Sequence, residues 1–153
     1  MRKKDKEIKD KAEIQSILNT AEICRLGLCD NKIPYIVPLN FGYRDNCIYF
    51  HSFPEGQKMD FLKRNNNVCF EVDLDCKLVK AGNPCDWGMK YRSVIGFGRA
   101  SFVQDRKQKK AALDIIMAHY SNGTYDYPEN VMNALSVIKV RIESVTGKKL
   151  GYE

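Results

Sequence analysis

The chain has 153 residues, enough for one domain with a proper core, and its 44% hydrophobic and 29% charged residues are those of an ordinary water-soluble globule. No window reaches the roughly eighteen apolar residues of a membrane span, and the opening MRKKDKEIKDKAEI has no apolar signal core or cleavage site, which argues against export. Half of the formal net charge of +6 falls in residues 1–11 and no basic stripe interleaved with aromatics follows, so a nucleic-acid partner is disfavoured. A single domain spanning 1–153 is expected, with residues 1–9 as a flexible basic tail.

Asp10 and Glu13 resemble a capping box, and Ile14, Ile17, Leu18 and Ala21 recur at helical spacing, which predicts a helix over 10–22. Residues 23–29 form a short apolar run, and Asp30-Asn31-Lys32 turns the chain into a strand over 35–43. Arg44-Asp45-Asn46 then makes a hairpin with residues 47–52. A short helix over 56–65 places Met59 and Leu62 on one face, and Asn65-Asn66-Asn67 stops it before a strand over 68–73. After a loop at 80–88 comes a long strand over 91–103, in which Gly96 and Gly98 signal a bulge or a close backbone approach.

Asp105 caps a second long helix reaching about His119, with Ala112, Ile115, Ile116 and His119 facing inward. Asn122-Gly123-Thr124 reads as a turn, Pro128 opens a short helical turn, and residues 136–145 alternate as a half-buried strand. Five or six strands in hairpin-like connections, flanked by helices, predict a mainly β domain built as an antiparallel barrel. The regular strand–helix alternation of a dinucleotide-binding sheet is missing. Gly96-Phe97-Gly98 lacks the third glycine of a dinucleotide fingerprint, and Glu55-Gly56-Gln57-Lys58 is not a Walker loop.

Six cysteines (Cys24, Cys29, Cys47, Cys69, Cys76, Cys85) show no CxxC pair and no zinc-like spacing, which predicts free thiols in a reducing cytoplasm. His51 and His119 are the only histidines and form no i, i+4 pair, so no metal site is expected.

The stretch from 35 to 65 carries the chemistry. Its second strand ends in His51 and Ser52, just before a glycine loop delivers Lys58 to the start of a helix. A helix N-terminus offers unpaired amides and a positive dipole end. Lys58 adds a point charge and Ser52 a hydroxyl donor, a set that suits a phosphate. The first strand stays free to line whatever that phosphate is attached to.

In order along the chain, a helix, PYIVPLNFGY, IYFHSFPEGQKMDFLKRN, VCFEVD and YRSVIGFGRA resemble the pyridoxamine-phosphate oxidase superfamily, and within it the Nim-type nitroimidazole resistance proteins. The resemblance covers about residues 7–145. It implies a six-stranded antiparallel split β-barrel that binds FMN in a groove at a homodimer interface. Pro38, Leu39, Asn40 and Phe41 match the strand whose backbone edge runs along the flavin ring. His51, Ser52 and Lys58 match positions around the phosphate or ring edge, and Gln57 falls where the oxidases usually have arginine. Arg92 and Ser93 match a polar pair that reaches the flavin from a later strand, and Trp87, in the loop before it, would wall the site.

The activity implied is an FMN-dependent reductase acting on a small acceptor such as a nitroaromatic, fed by a nicotinamide or a protein electron donor. His51 would deliver protons. Gln57 in place of arginine argues against oxidation of pyridoxamine phosphate. Two alternatives stay open, a flavin carrier without a substrate of its own and a haem-binding barrel ligated by His51, His119, a cysteine or a methionine.

Overall fold

The structure, a computed structural model, describes residues 4–152. In chain order the elements are β1 (Glu7–Ile8), α1 (Lys11–Thr20), β2 (Cys24–Asp30), β3 (Ile33–Leu39), β4 (Gly42–Arg44), β5 (Cys47–Ser52), α2 (Gln57–Arg64), β6 (Asn67–Val79), β7 (Gly88–Val103), α3 (Arg106–Tyr120), α4 (Glu129–Ala134) and β8 (Ser136–Leu150). All strands pair antiparallel in the order β3-β2-β6-β7-β8-β5-β4, with β1 added on β8. Six of them are the long strands expected, and β1 and β4 are short additions.

Local chemistry fixes the hairpins. Asn31 and Lys32 (φ 47° and 66°) turn β2 into β3, and Asp45 and Asn46 (φ 51° and 60°) turn β4 into β5. Paired left-handed residues match the twist of the flanking strands, and Asn and Asp enter that region at least cost after glycine. Leu26 of β2, Phe70 of β6, Val94 of β7, Val140 of β8 and Phe50 of β5 lie in one core cluster, each at most 1% exposed. Strands β2 and β5 stand far apart in the strand order, so their shared core requires the sheet to coil round it.

Helix α1 turns Ile14, Ile17 and Leu18 into that core, and Ala21 follows them just beyond its end. Helix α2 adds Met59, Phe61 and Leu62. Helix α3 packs outside, where Ala112, Leu113 and Ile116 meet Met132 and Val137 in a second, smaller cluster. Leu113 takes the buried place expected of Ile115, which is only half-buried.

Three expectations are corrected. The strand over 35–43 is broken at 40–41, so its halves, β3 and β4, go to opposite ends of the strand order. Strands β6 and β7 run on past the barrel to Val79 and Gly88, forming a two-stranded arm. The flexible tail over 1–9 gives way at residues 4–8, where a 3-10 turn leads into β1, which pairs with Lys148 and Gly147 and buries Ile8 to 3% exposure. A lone isoleucine among charges gave no pattern to read; residues 1–3 lie outside those described.

The glycine signal in β7 holds. The β7–β8 register shifts between Phe97 and Gly98, and a Cβ on Gly98 would lie 2.3 Å from the Arg141 carbonyl oxygen. All six cysteines are unpaired, and burial pushes the Cys24 thiol up to about 12. Among the described residues, no helix is long and apolar enough to cross a membrane, and no group of three or more His, Cys, Asp or Glu could hold a metal ion.

Candidate functional site

The site begins at the free edge of β3. Among the described residues, that strand pairs with β2 on one side and with no strand on the other. Pro34 and Pro38 stand opposite Cys29 and Arg25 in the β2–β3 ladder. Proline cannot donate, and it is tolerated in a strand where its nitrogen faces an open edge. Tyr35, Val37 and Leu39 turn inward against the core, while Ile36 and Pro38 face out. Of the predicted ring-edge residues, Leu39 therefore packs inward and stands opposite Cys24, shaping the edge from behind.

Two residues, Asn40 and Phe41, carry the chain from β3 into β4. Gly42 stands opposite Tyr49 in the β4–β5 ladder. Asn40 is exposed on the corner before that ladder begins. Alternation along β5 buries Ile48 and Phe50, turns Tyr49 and His51 outward and leaves Ser52 half-buried.

Helix α2 starts five residues beyond Ser52. Its N-cap, Gly56, sits at φ 109° and ψ 165°, a region that only glycine enters cheaply. Gly56 brings no side chain to the cap, so the first amides of α2 are left for another acceptor. Gln57 is exposed and Lys58 half-buried at that end.

Electrostatics tie the pieces together. Partial burial, and then the Lys58 charge, hold the His51 imidazole below its ordinary value. Burial likewise holds the Lys58 ammonium below its own. Both cations are thus uncompensated, which is the condition an anion would relieve. His51, Ser52, Gln57 and Lys58 gather at the start of α2, and Asn40 lies on the corner that follows the β3 edge. A phosphate fits the open amides and Lys58, and a flat ring with its own donors and acceptors fits the strand edge.

The remaining predicted residues lie elsewhere. The Phe41 ring is fully buried, 4.4 Å from the His119 ring centroid, so its side chain supports the site from behind. His119 sits as a packed histidine, with Nε2 2.6 Å from the Ala21 carbonyl. In β8, His51 stands opposite Val137, as does Val103 of β7, whereas Arg92 stands opposite Lys149. Arg92 is thus eleven residues further along β7, about 36 Å of strand.

Arg92 is also engaged. Its guanidinium pairs with Asp75 and, at 3.9 Å, with Glu13, and it lies 4.5 Å over the Tyr152 ring. Ser93 is half-buried beside it on β7. Trp87 sits near the tip of the arm, 46% exposed, with its indole N–H donating to the Ala81 carbonyl at 2.8 Å. Within one chain, Trp87, Arg92 and Ser93 do not join the cluster around Lys58.

Sequence reasoning missed the outer face of the sheet. Ile36, Gly27, Cys69 and Phe97 form one cross-strand row. Ile36 is 64% and Phe97 57% exposed, and they flank a groove of about 570 Å³. The signal was present as Ile95 and Phe97 alternating with glycines. Phe53, 73% exposed beside Ser52, is a further aromatic at the site mouth.

A family model described as pyridoxamine 5'-phosphate oxidase matches residues 10–149. Among solved structures, a provisionally assigned 5-nitroimidazole antibiotic resistance protein from Bacteroides thetaiotaomicron VPI-5482 is 40% identical, with 93% of this chain and 85% of that one covered and a TM-score of 0.84. The FAD and heme binding protein from Mycobacterium smegmatis shares the fold at 16% identity, with 96% and 74% covered and a TM-score of 0.86. The uncharacterized protein RA0666 of Rhizobium meliloti (strain 1021) is 31% identical over 65 residues, a match spanning 42% of this chain and 42% of that protein's length.

Proposed function

The chain belongs to the pyridoxamine 5'-phosphate oxidase family, and from that premise we propose that it is an FMN-binding flavoprotein, acting as a homodimer, that reduces a small acceptor such as a nitroaromatic. The observation that carries this reading is the cluster of His51, Ser52, Gln57 and Lys58 around an uncapped helix start, with the free edge of β3 as a second surface. The relative at 40% identity, provisionally a nitroimidazole resistance protein, supports the acceptor class.

Bound FMN would supply the redox chemistry, and the chain supplies binding, orientation and protons. Lys58, Ser52 and the first α2 amides hold the phosphate. The Pro38 carbonyl on the open edge and the exposed Asn40 orient the ring. His51 holds a proton at the ring side for transfer to the reduced acceptor. An anion beside Lys58 offsets the charge that depresses His51, so loading the site raises the share of imidazolium near neutral pH.

Trp87 and Ser93 would complete the site from the second subunit, through the exposed face around Phe97. Arg92, already paired with Asp75 and Glu13, holds the arm instead. Six unpaired thiols suit the reducing cytoplasm.

The test is the absorbance spectrum of the purified protein with the released cofactor identified by mass, followed by anaerobic turnover with NADH or NADPH and a nitroimidazole. About one FMN per chain, with consumption of both substrates, is the expected result. Bound FMN without turnover on any donor and acceptor pair would make the protein a flavin carrier. A haem absorbance band in place of the flavin spectrum would overturn the cofactor, and no binding of added FMN would sink the site.

A further inference from the structure

The two halves of the proposed site, the β3 edge and the phosphate end at Ser52 and Lys58, are joined through Asn40 and Phe41, and that corner belongs to no strand ladder. The Phe41 backbone amide therefore needs a partner from elsewhere. It donates to the Tyr120 hydroxyl at 3.0 Å, and that hydroxyl donates in turn to the Glu22 carbonyl at 2.7 Å. One phenol at the end of α3 thus ties the β3–β4 corner to the segment between α1 and β2. The preceding residue reinforces it, because His119 reaches the Ala21 carbonyl and its ring lies between those of Phe41 and Tyr120, at 4.4 and 4.8 Å.

Resting on the flavin reading above, we infer that Tyr120 is a positioning residue that fixes the spacing between the ring-binding edge and the phosphate-binding end. The reason is geometric. The corner sets where β3 ends relative to β5, and a ligand that grips both places gains from that spacing being fixed in advance. A ligand that grips only the edge gains little. Tyr120 is 40% exposed, and loss of its hydroxyl leaves the ring packing and the main core untouched.

The test compares FMN with riboflavin, which lacks the phosphate, by fluorescence titration of the wild-type protein and of Tyr120→Phe. In the wild type FMN binds much more tightly than riboflavin. In Tyr120→Phe that preference falls about tenfold, the scale of one net hydrogen bond and the order it maintains. Riboflavin affinity stays within about twofold of wild type, since the edge contacts remain. A purely structural tyrosine would lower the melting temperature and leave the FMN-to-riboflavin ratio unchanged, which overturns the inference.

Hydrogen exchange of the Phe41 amide gives a second readout that needs no flavin. Its protection is expected to drop by at least tenfold in the variant, and equal protection in both proteins also overturns the inference. If the wild type binds neither flavin, the functional reading falls and the inference with it. A wild type that binds FMN beside a variant with an unaltered ratio leaves the functional reading standing.

Discussion

His51 and Lys58 are the two side chains whose charge defines the site, and each is held below its ordinary value. For His51 the consequence has a definite sign. Below its ordinary value, near 6.5, the unfolded chain takes up a proton more readily than the folded one, so folded stability is lost as the pH drops through that range and regained as it rises. Lys58→Met removes the repelling charge and is expected to move the His51 midpoint upward in an NMR titration; an unmoved midpoint would separate the two residues. His51→Ala is expected to keep bound FMN and slow nitro reduction by about 100-fold, the lower range for general acid catalysis. Retained flavin with unchanged turnover would remove the histidine from the chemistry.

At the scale of elements, the bulge opposite Gly98, where β8 carries Glu143 as the extra residue, is the most constrained feature. A methyl on Gly98 would press on the Arg141 carbonyl, a backbone atom that cannot step aside. Gly98→Ala is expected to cost about 1–3 kcal/mol in urea denaturation, the range for overpacking a filled site. A stability equal to wild type would show that β7 and β8 slide at the bulge. Features like this were legible in the sequence because they are local: Asp45-Asn46 announced its turn, Ile14, Ile17 and Leu18 their helix face, and Gly98 its bulge. The arm was not legible. Asp75 at φ 55° breaks the alternation of β6 just before Lys77, so the strand pattern fades although pairing resumes. Nor could the engagement of Arg92 be read, since Glu13 and Asp75 meet it only through the fold. Ser52, Gly56 and Lys58 could be set side by side in advance because they sit within seven residues of chain, whereas the dispersed Trp87 and Ser93 were assigned by resemblance alone.

At the scale of the molecule, the proposed homodimer would cover the exposed row at Ile36 and Phe97 and bring Trp87 to the site from a second copy. Phe97→Glu places a charge at the centre of that row. It is expected to leave the circular dichroism spectrum intact, to give monomers in analytical ultracentrifugation where the wild type gives dimers, and to lose FMN together with the dimer. A wild-type monomer that binds FMN would overturn the shared site. How such copies can associate is limited by the two ends of the sheet. Backbone donors and acceptors of one residue point the same way in a strand, so residues 34, 36 and 38 present three carbonyls to the open side of β3 but only one N–H, that of Ile36, because the other two are prolines. At the opposite end β4 is three residues long. One end cannot reciprocate hydrogen bonds and the other is too short to template them. Strand addition is hindered at both ends of the strand order, so copies of the chain are steered toward association through faces.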